Sequence, residues 1–152
     1  MNRCAMCGNE SLEHIEREET HTYAGHTFTA IVPAIQCARC GELYFDGPVL
    51  EALEMRVARA LAETGAKGSA VFRLLRKILG LKSSEIAELF GVAPETVSRW
   101  ENGQRDPDTS AFALLDALVI EASEGRTELL NRLRAFRTAR PMEEPMRLGR
   151  VA

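Results

Sequence analysis

Four cysteines carry the most specific chemistry in this 152-residue chain. They fall as two pairs, Cys4-Ala5-Met6-Cys7 and Cys37-Ala38-Arg39-Cys40, and a glycine follows each pair (Gly8, Gly41). Two residues between thiols let a tight turn aim both sulfurs at one point. Two such turns facing each other supply the four ligands of one tetrahedral, structural Zn2+. Glycine after each turn suits a positive φ, from which its N–H can donate to a thiolate. Iron or an iron–sulfur cluster on the same four thiolates stays open. A thioredoxin-like redox pair is disfavoured by the lack of a βαβ pattern. A catalytic zinc needs an open position, which four thiolates close. No nucleophile has a paired general base, so an enzyme is not expected. His14, His21 and His26 lie between the pairs and are read as surface or sheet residues, since the cysteines suffice.

A second stretch, "VAPETVSRWENGQ" (residues 92–104), carries a different chemistry. Val97 and Trp100 are three apart and bury together on a helix. Glu95, Ser98, Arg99 and Asn102 then share the opposite face, which a DNA major groove can receive. The Arg99 guanidinium matches the two acceptors of a guanine edge. Glu95 can accept from a cytosine amino group or orient Arg99 one turn along. Thr96 and Ser98 can donate to phosphate.

These residues need elements to hold them. The 29 residues between the cysteine pairs exceed a zinc finger's usual ~15–20 and leave room for a hairpin. "THTY" and "HTFTAIV" are β-branched and aromatic, with Ala24-Gly25 as the turn between them. Residues 1–46 hold few large apolar side chains, so metal is expected to staple them. A helix then opens at Gly47-Pro48. Its stripe Leu50, Leu53, Val57 and Leu61 is expected to pack on the cysteine module. Residues 64–68, Thr-Gly-Ala-Lys-Gly, read as a linker. Five helical segments follow, the first ended by Gly80, the second stopped at Gly91, the third running from Pro94 to Gly103. Phe112, Leu115, Leu118 and Val119 mark the fourth, and Leu129, Leu130, Leu133 and Phe136 the fifth. The second and third make a helix-turn-helix, with Ala87 small where the third crosses it. The expected fold is an α+β zinc module, a hairpin sheet and its helix (1–63), joined by the linker (64–68) to an all-α five-helix domain (69–138). A mobile tail is expected at 139–152.

Residues 69–122 resemble the XRE/Cro-C1 helix-turn-helix family, through "LLRKILGLKSSEIAELFGVAPETVSRWENGQRDPD". The resemblance implies base contacts at Glu95 and Arg99 and phosphate contacts at Ser83, Thr96 and Asn102. Lys82 and Ala93 stand where that family carries Ser or Thr caps, at ~1 kcal/mol per lost cap unless another group serves. Joined to Cys-x-x-Cys-Gly and Cys-x-x-Cys-Gly-Glu, the chain over roughly residues 4–138 resembles the MqsA (YgiT-type zinc finger) antitoxins. That resemblance implies structural zinc and an N-terminal module that binds an MqsR-type RNA-cleaving toxin. It also implies a C-terminal domain that dimerises and represses its operon at a palindrome.

Charge divides along the chain. The whole chain is −3, but residues 1–63 hold five Lys/Arg against ten Asp/Glu and residues 64–152 hold fourteen against twelve. The acidic half suits a basic toxin. The mildly basic half implies modest non-specific DNA affinity and reliance on a dimer, expected through the fourth and fifth helices. The alternative is a stand-alone zinc-containing XRE-type regulator without a toxin. No apolar run approaches the ~20 residues that span a bilayer, and "MNRCAMCGNE" lacks the hydrophobic core of a signal peptide. A cytoplasmic protein is expected, where thiols stay reduced.

Overall fold

The computed structural model describes residues 2–138 and 140–152, so the first position of the expected tail, residue 139, lies outside the described residues. Three strands lead: β1 (Leu12–Tyr23), β2 (His26–Cys37) and β3 (Leu43–Tyr44). Six helices follow among the described residues: α1 (Gly47–Thr64), α2 (Ser69–Ile78), α3 (Ser83–Phe90), α4 (Pro94–Glu101), α5 (Thr109–Ser123) and α6 (Glu128–Arg137). The fold is α+β, a small antiparallel sheet ahead of a helical body. None of the helices is long and apolar enough to cross a membrane.

The sheet has the order β1-β2-β3. β1 pairs with β2 without a break from Tyr23 opposite His26 to Leu12 opposite Cys37. Ala24 (φ 48°) and Gly25 (φ 82°) both sit at positive φ, as a two-residue type I′ turn requires. The strands run well beyond the segments that β-branched composition marks. In "LEHIEREE" the only apolar residues are Leu12 and Ile15, three apart, so no period-two alternation announces a strand there. His14 and His26 are exposed and His21 half-buried, all within these strands.

The core lies among the helices. Phe72 of α2 meets Trp100 of α4 edge-on at 5.5 Å and Phe112 of α5 at 5.4 Å. Leu75, Ile86, Val97, Leu115 and Val119 close around them with no exposed surface. Ala87 is buried at the α3–α4 approach. The buried face of α1 is Leu53, Val57, Ala58, Leu61 and Ala62. All but Leu53 belong to this same core, against α5 and α2. In packing, α1 therefore belongs chiefly with the helices after it, and only partly with the cysteine-bearing sheet that the sequence suggested. Leu50, expected on the stripe, is 39% exposed, because the apolar face rotates toward Ala58 and Ala62. The Gly65–Gly68 segment docks as well: Lys67 lies over the Phe112 ring at 4.5 Å and 3.6 Å from Asp116.

The hairpin reaches both parts. Its tip residues Tyr23, Ala24 and Phe28 pack against the helical core, while its open end carries Cys37. Within residues 2–46, Cys4, Val32, Ala34 and Cys37 are the buried side chains, far fewer than an independent core needs.

Candidate metal centre and nucleic-acid face

Each cysteine pair sits in the same local turn. The Gly8 N–H donates to the Cys4 carbonyl and the Gly41 N–H to the Cys37 carbonyl, both at 2.9 Å. Five residues on from the first cysteine the pattern closes again, Cys4 N–H to Asn9 carbonyl (2.8 Å) and Cys37 N–H to Glu42 carbonyl (2.9 Å). Gly8 and Gly41 adopt φ of 70° and 75°, which glycine allows without strain. Two equivalent turns thus face each other, one before β1 and one between β2 and β3.

The four Sγ atoms lie within 4.8 Å of one another. Cys4 and Cys40 sulfurs are 3.5 Å apart, and Cys7 and Cys37 sulfurs 3.6 Å. A tetrahedron with metal–sulfur bonds of ~2.3 Å has edges of ~3.8 Å, so this spacing fits one tetrahedral ion. The donor set fits too: four thiols on one point cannot all ionise without a cation between them. Their surroundings set the four thiols in conflict. The Cys4 thiol is pulled down to about 6, first by the Tyr44 hydroxyl and then by backbone N–H groups of Cys7 and Met6. Cys37 is lowered by the N–H groups of Cys40 and Arg39. At Cys40 the Glu42 N–H lowers the pKa, but desolvation and the three neighbouring thiols outweigh it and push it up to about 12.

Two further residues complete this centre, and neither stood out in the sequence. The Tyr44 hydroxyl lies 3.1 Å from Cys4 Sγ and accepts the Ala5 N–H at 3.0 Å. The Asn9 side-chain amide donates to Cys37 Sγ at 3.8 Å. Such partners orient metal ligands and tune their basicity. A tyrosine just after the second cysteine pair was the available signal.

The second candidate site is α4. Val97 and Trp100 are fully buried, so the helix is fixed by its inner face. Among the described residues the Trp100 indole nitrogen has no hydrogen-bond partner. Glu95, Ser98, Arg99 and Asn102 are exposed together, Thr96 is half-buried, and Ser83 is exposed at the start of α3. Asn102 donates to Ser98 Oγ at 3.3 Å. No Glu95–Arg99 ion pair forms among the described residues. Glu95 therefore does not orient Arg99 in this state.

Substitutes stand in for the missing caps. The Glu85 carboxylate accepts the Lys82 N–H at 2.6 Å, so α3 is capped from its own first turn. Ala93 gives α4 no side-chain cap, and Pro94 occupies its first turn. At its other end α4 closes through Gly103 (φ 71°), with the Gln104 N–H on the Arg99 carbonyl at 3.0 Å. Arg76 of α2 holds that end further. It pairs with Glu101 through two nitrogens, Nη2 to Oε2 at 3.0 Å, and its Nη1 donates to the Leu81 carbonyl at 2.7 Å. This buried pair joins residues 25 apart and was not legible beforehand.

The faces assigned to dimerisation differ. Phe112, Leu115, Leu118 and Val119 of α5 are buried within the chain itself, whereas Phe136 of α6 is 72% exposed.

A small sheet with a four-thiol cluster is thus set ahead of a helical body. The family described as "Antitoxin component of bacterial toxin-antitoxin system, MqsA" matches residues 2–134. The chain belongs to that family. It is 26% identical over 135 residues to Antitoxin MqsA of Escherichia coli (strain K12), covering 87% of this chain and 99% of that protein.

Proposed function

We infer that this antitoxin is a zinc-stabilised, non-enzymatic repressor. It neutralises an MqsR-like mRNA interferase with its N-terminal module and represses its own operon with its C-terminal helices. The observation that carries this is the joint presence of the four-thiol cluster and an anchored α4 with an exposed polar face. Cys4, Cys7, Cys37 and Cys40 would hold one Zn2+, the ion for which four thiolates in a closed tetrahedron are the usual structural set. The ion would cross-link two turns that otherwise share almost no core.

On the DNA side, α3 and α4 act as a helix-turn-helix of the XRE type. Arg99 and Glu95 face base edges, and Ser83, Thr96, Ser98 and Asn102 lie toward phosphates. A homodimer would place two copies of α4 about one helical turn apart (~34 Å) on a palindrome. The exposed Phe136 makes α6 the better candidate for its contact. The division of roles follows the chain: residues 1–63 toward a basic toxin, 69–138 toward DNA, 64–68 between them. The work is cytoplasmic.

Co-expression with the neighbouring reading frame tests the toxin role: growth arrest by that frame must be relieved by this chain. Footprinting on the DNA upstream of the gene tests the second. Arg99→Ala is expected to weaken operator binding by about 1–3 kcal/mol and relax preference at one base pair. No rescue, or an equal Arg99→Ala loss on unrelated DNA, would overturn the corresponding half.

A further inference from the structure

The helices that carry the groove-facing residues are not themselves basic. Residues 64–131 hold eight Lys/Arg against ten Asp/Glu, whereas residues 132–152 hold six arginines against two glutamates. The positive balance of the C-terminal half therefore lies entirely in its last segment. The family match ends at residue 134, so Arg137, Arg140, Arg147 and Arg150 extend this chain past it.

The root of that segment has a defined place. Arg137, at the end of α6, donates through Nη2 and Nε to the Leu89 carbonyl of α3 at 3.2 and 3.3 Å. Its guanidinium lies against Gly91, on the side where a Cβ would point. Gly91 begins the turn into α4, which starts at Pro94. The segment thus leaves the body beside the turn that delivers the groove-facing helix. Arg132, Arg134, Arg140, Arg147 and Arg150 are exposed, and none has a carboxylate in ion-pair range among the described residues. Unpartnered arginines on an exposed strand of chain attract a polyanion. Fully extended, residues 138–152 reach up to ~45 Å, more than the ~34 Å of one duplex turn.

We propose that residues 132–152 form a basic arm that grips the DNA phosphate backbone beside the groove occupied by α4. This rests on the reading that α4 binds DNA. The arm supplies the sequence-independent attraction that the helical body lacks, and α4 supplies selection. The competing partner is the acidic N-terminal half of the same chain, which would hold the arm in cis and mask it.

The test uses the full chain and a triple variant, Arg140→Gln/Arg147→Gln/Arg150→Gln. These positions lie outside every helix and strand, and Arg137 with its bond to Leu89 is left intact. Fluorescence anisotropy follows binding to a random-sequence duplex and to the duplex upstream of the gene, across a salt series. Each lost phosphate contact lowers the slope of log K against log salt by about 0.9, so the triple variant should be shallower by about 2–3 on both duplexes. Affinity at low salt should fall at least about tenfold on both alike. Arg99→Gln serves as contrast: it should lose preference for the upstream duplex and keep most of the slope. Equal slopes for the full chain and the triple variant would overturn the arm while leaving α4 as the reader. Tighter binding by the triple variant would overturn it in favour of a different role for these arginines. No binding of either duplex by the unmodified chain would overturn the arm and the DNA reading together.

Discussion

Replacing Arg76 by methionine removes its charge and keeps most of its stem. In the folded chain the Arg76 side chain is 11% exposed and that of Glu101 10%. The substitution strands the Glu101 carboxylate in this setting and takes the donor from the Leu81 carbonyl. Truncating one member of a buried pair costs about 3–5 kcal/mol, mostly because the other charge stays behind. The small residual exposure of Glu101 favours the lower end, about 3 kcal/mol, which lowers Tm by roughly 6–12 °C. Arg76→Met/Glu101→Leu removes both charges and leaves no stranded carboxylate. It should recover most of the loss, so the double variant should lose less than the sum of the two singles by about 2 kcal/mol or more. Urea denaturation of the four proteins, with a common m-value, measures this directly. If the double variant loses the sum of the two singles within about 0.5 kcal/mol, the pair is not a unit and the account is wrong. Glu101 closes the last turn of α4, so the single variants should also lose amide protection at that end of the helix.

Tyr44→Phe deletes the hydroxyl against Cys4 Sγ; loss of such a partner should weaken metal retention by about 10–100-fold in a chelator competition, with far-UV dichroism of the loaded protein unchanged. Gly91→Ala forces a Cβ into positive φ (66°) and against the Arg137 guanidinium, 2.7 Å from Nη1. It should cost about 1 kcal/mol or more and detach Arg137 from Leu89, read as faster hydrogen exchange in α6. Asp116 has its pKa raised by burial, which outweighs the attraction of Lys67. A raised carboxylate destabilises the fold fully above its folded pKa and not at all below its unfolded one. Asp116→Asn should therefore be more stable at neutral pH, and the difference should close as pH falls through the ordinary carboxylate range; a gap independent of pH would exclude the charge as its cause.

The cysteine pairs, their glycines, the Ala24-Gly25 turn and the glycine stops were legible because each rests on short-range rules: a turn, a positive φ, a fixed ligand spacing. Val97 and Trp100 were legible for the same reason, three residues apart on one helix. What escaped depends on pairs distant in sequence. Arg76 with Glu101, Arg137 with Leu89, Glu121 with the Leu129 N–H at 2.8 Å, and Tyr44 with Cys4 are charged or polar residues whose partners only the fold brings near. Lys82 showed no cap because the capping group lies three residues later, on Glu85, and acts on the backbone. The apolar period of α1 showed a buried face but not what covers it; small Ala58 and Ala62 let α5 approach closely there. The α5 stripe was legible as buried, but a buried stripe does not say whether its own chain or a second copy covers it.

The long hairpin is packed on one face only: along its middle Val32 is buried, while Glu16, Arg17, Glu18, Ile31 and Pro33 stay exposed. The backbone ladder alone would tolerate sliding, since a shifted pairing makes as many backbone bonds. Here both ends are pinned. A slip of one residue would turn Phe28 and Tyr23 away from the helical core and draw Cys37 out of reach of Cys7. Loss of the cysteine cluster should leave a strand pair that still exists but samples neighbouring alignments, with the error growing from the tip outward. A partner that recognises the cysteine end would then meet a displaced surface rather than an unfolded one.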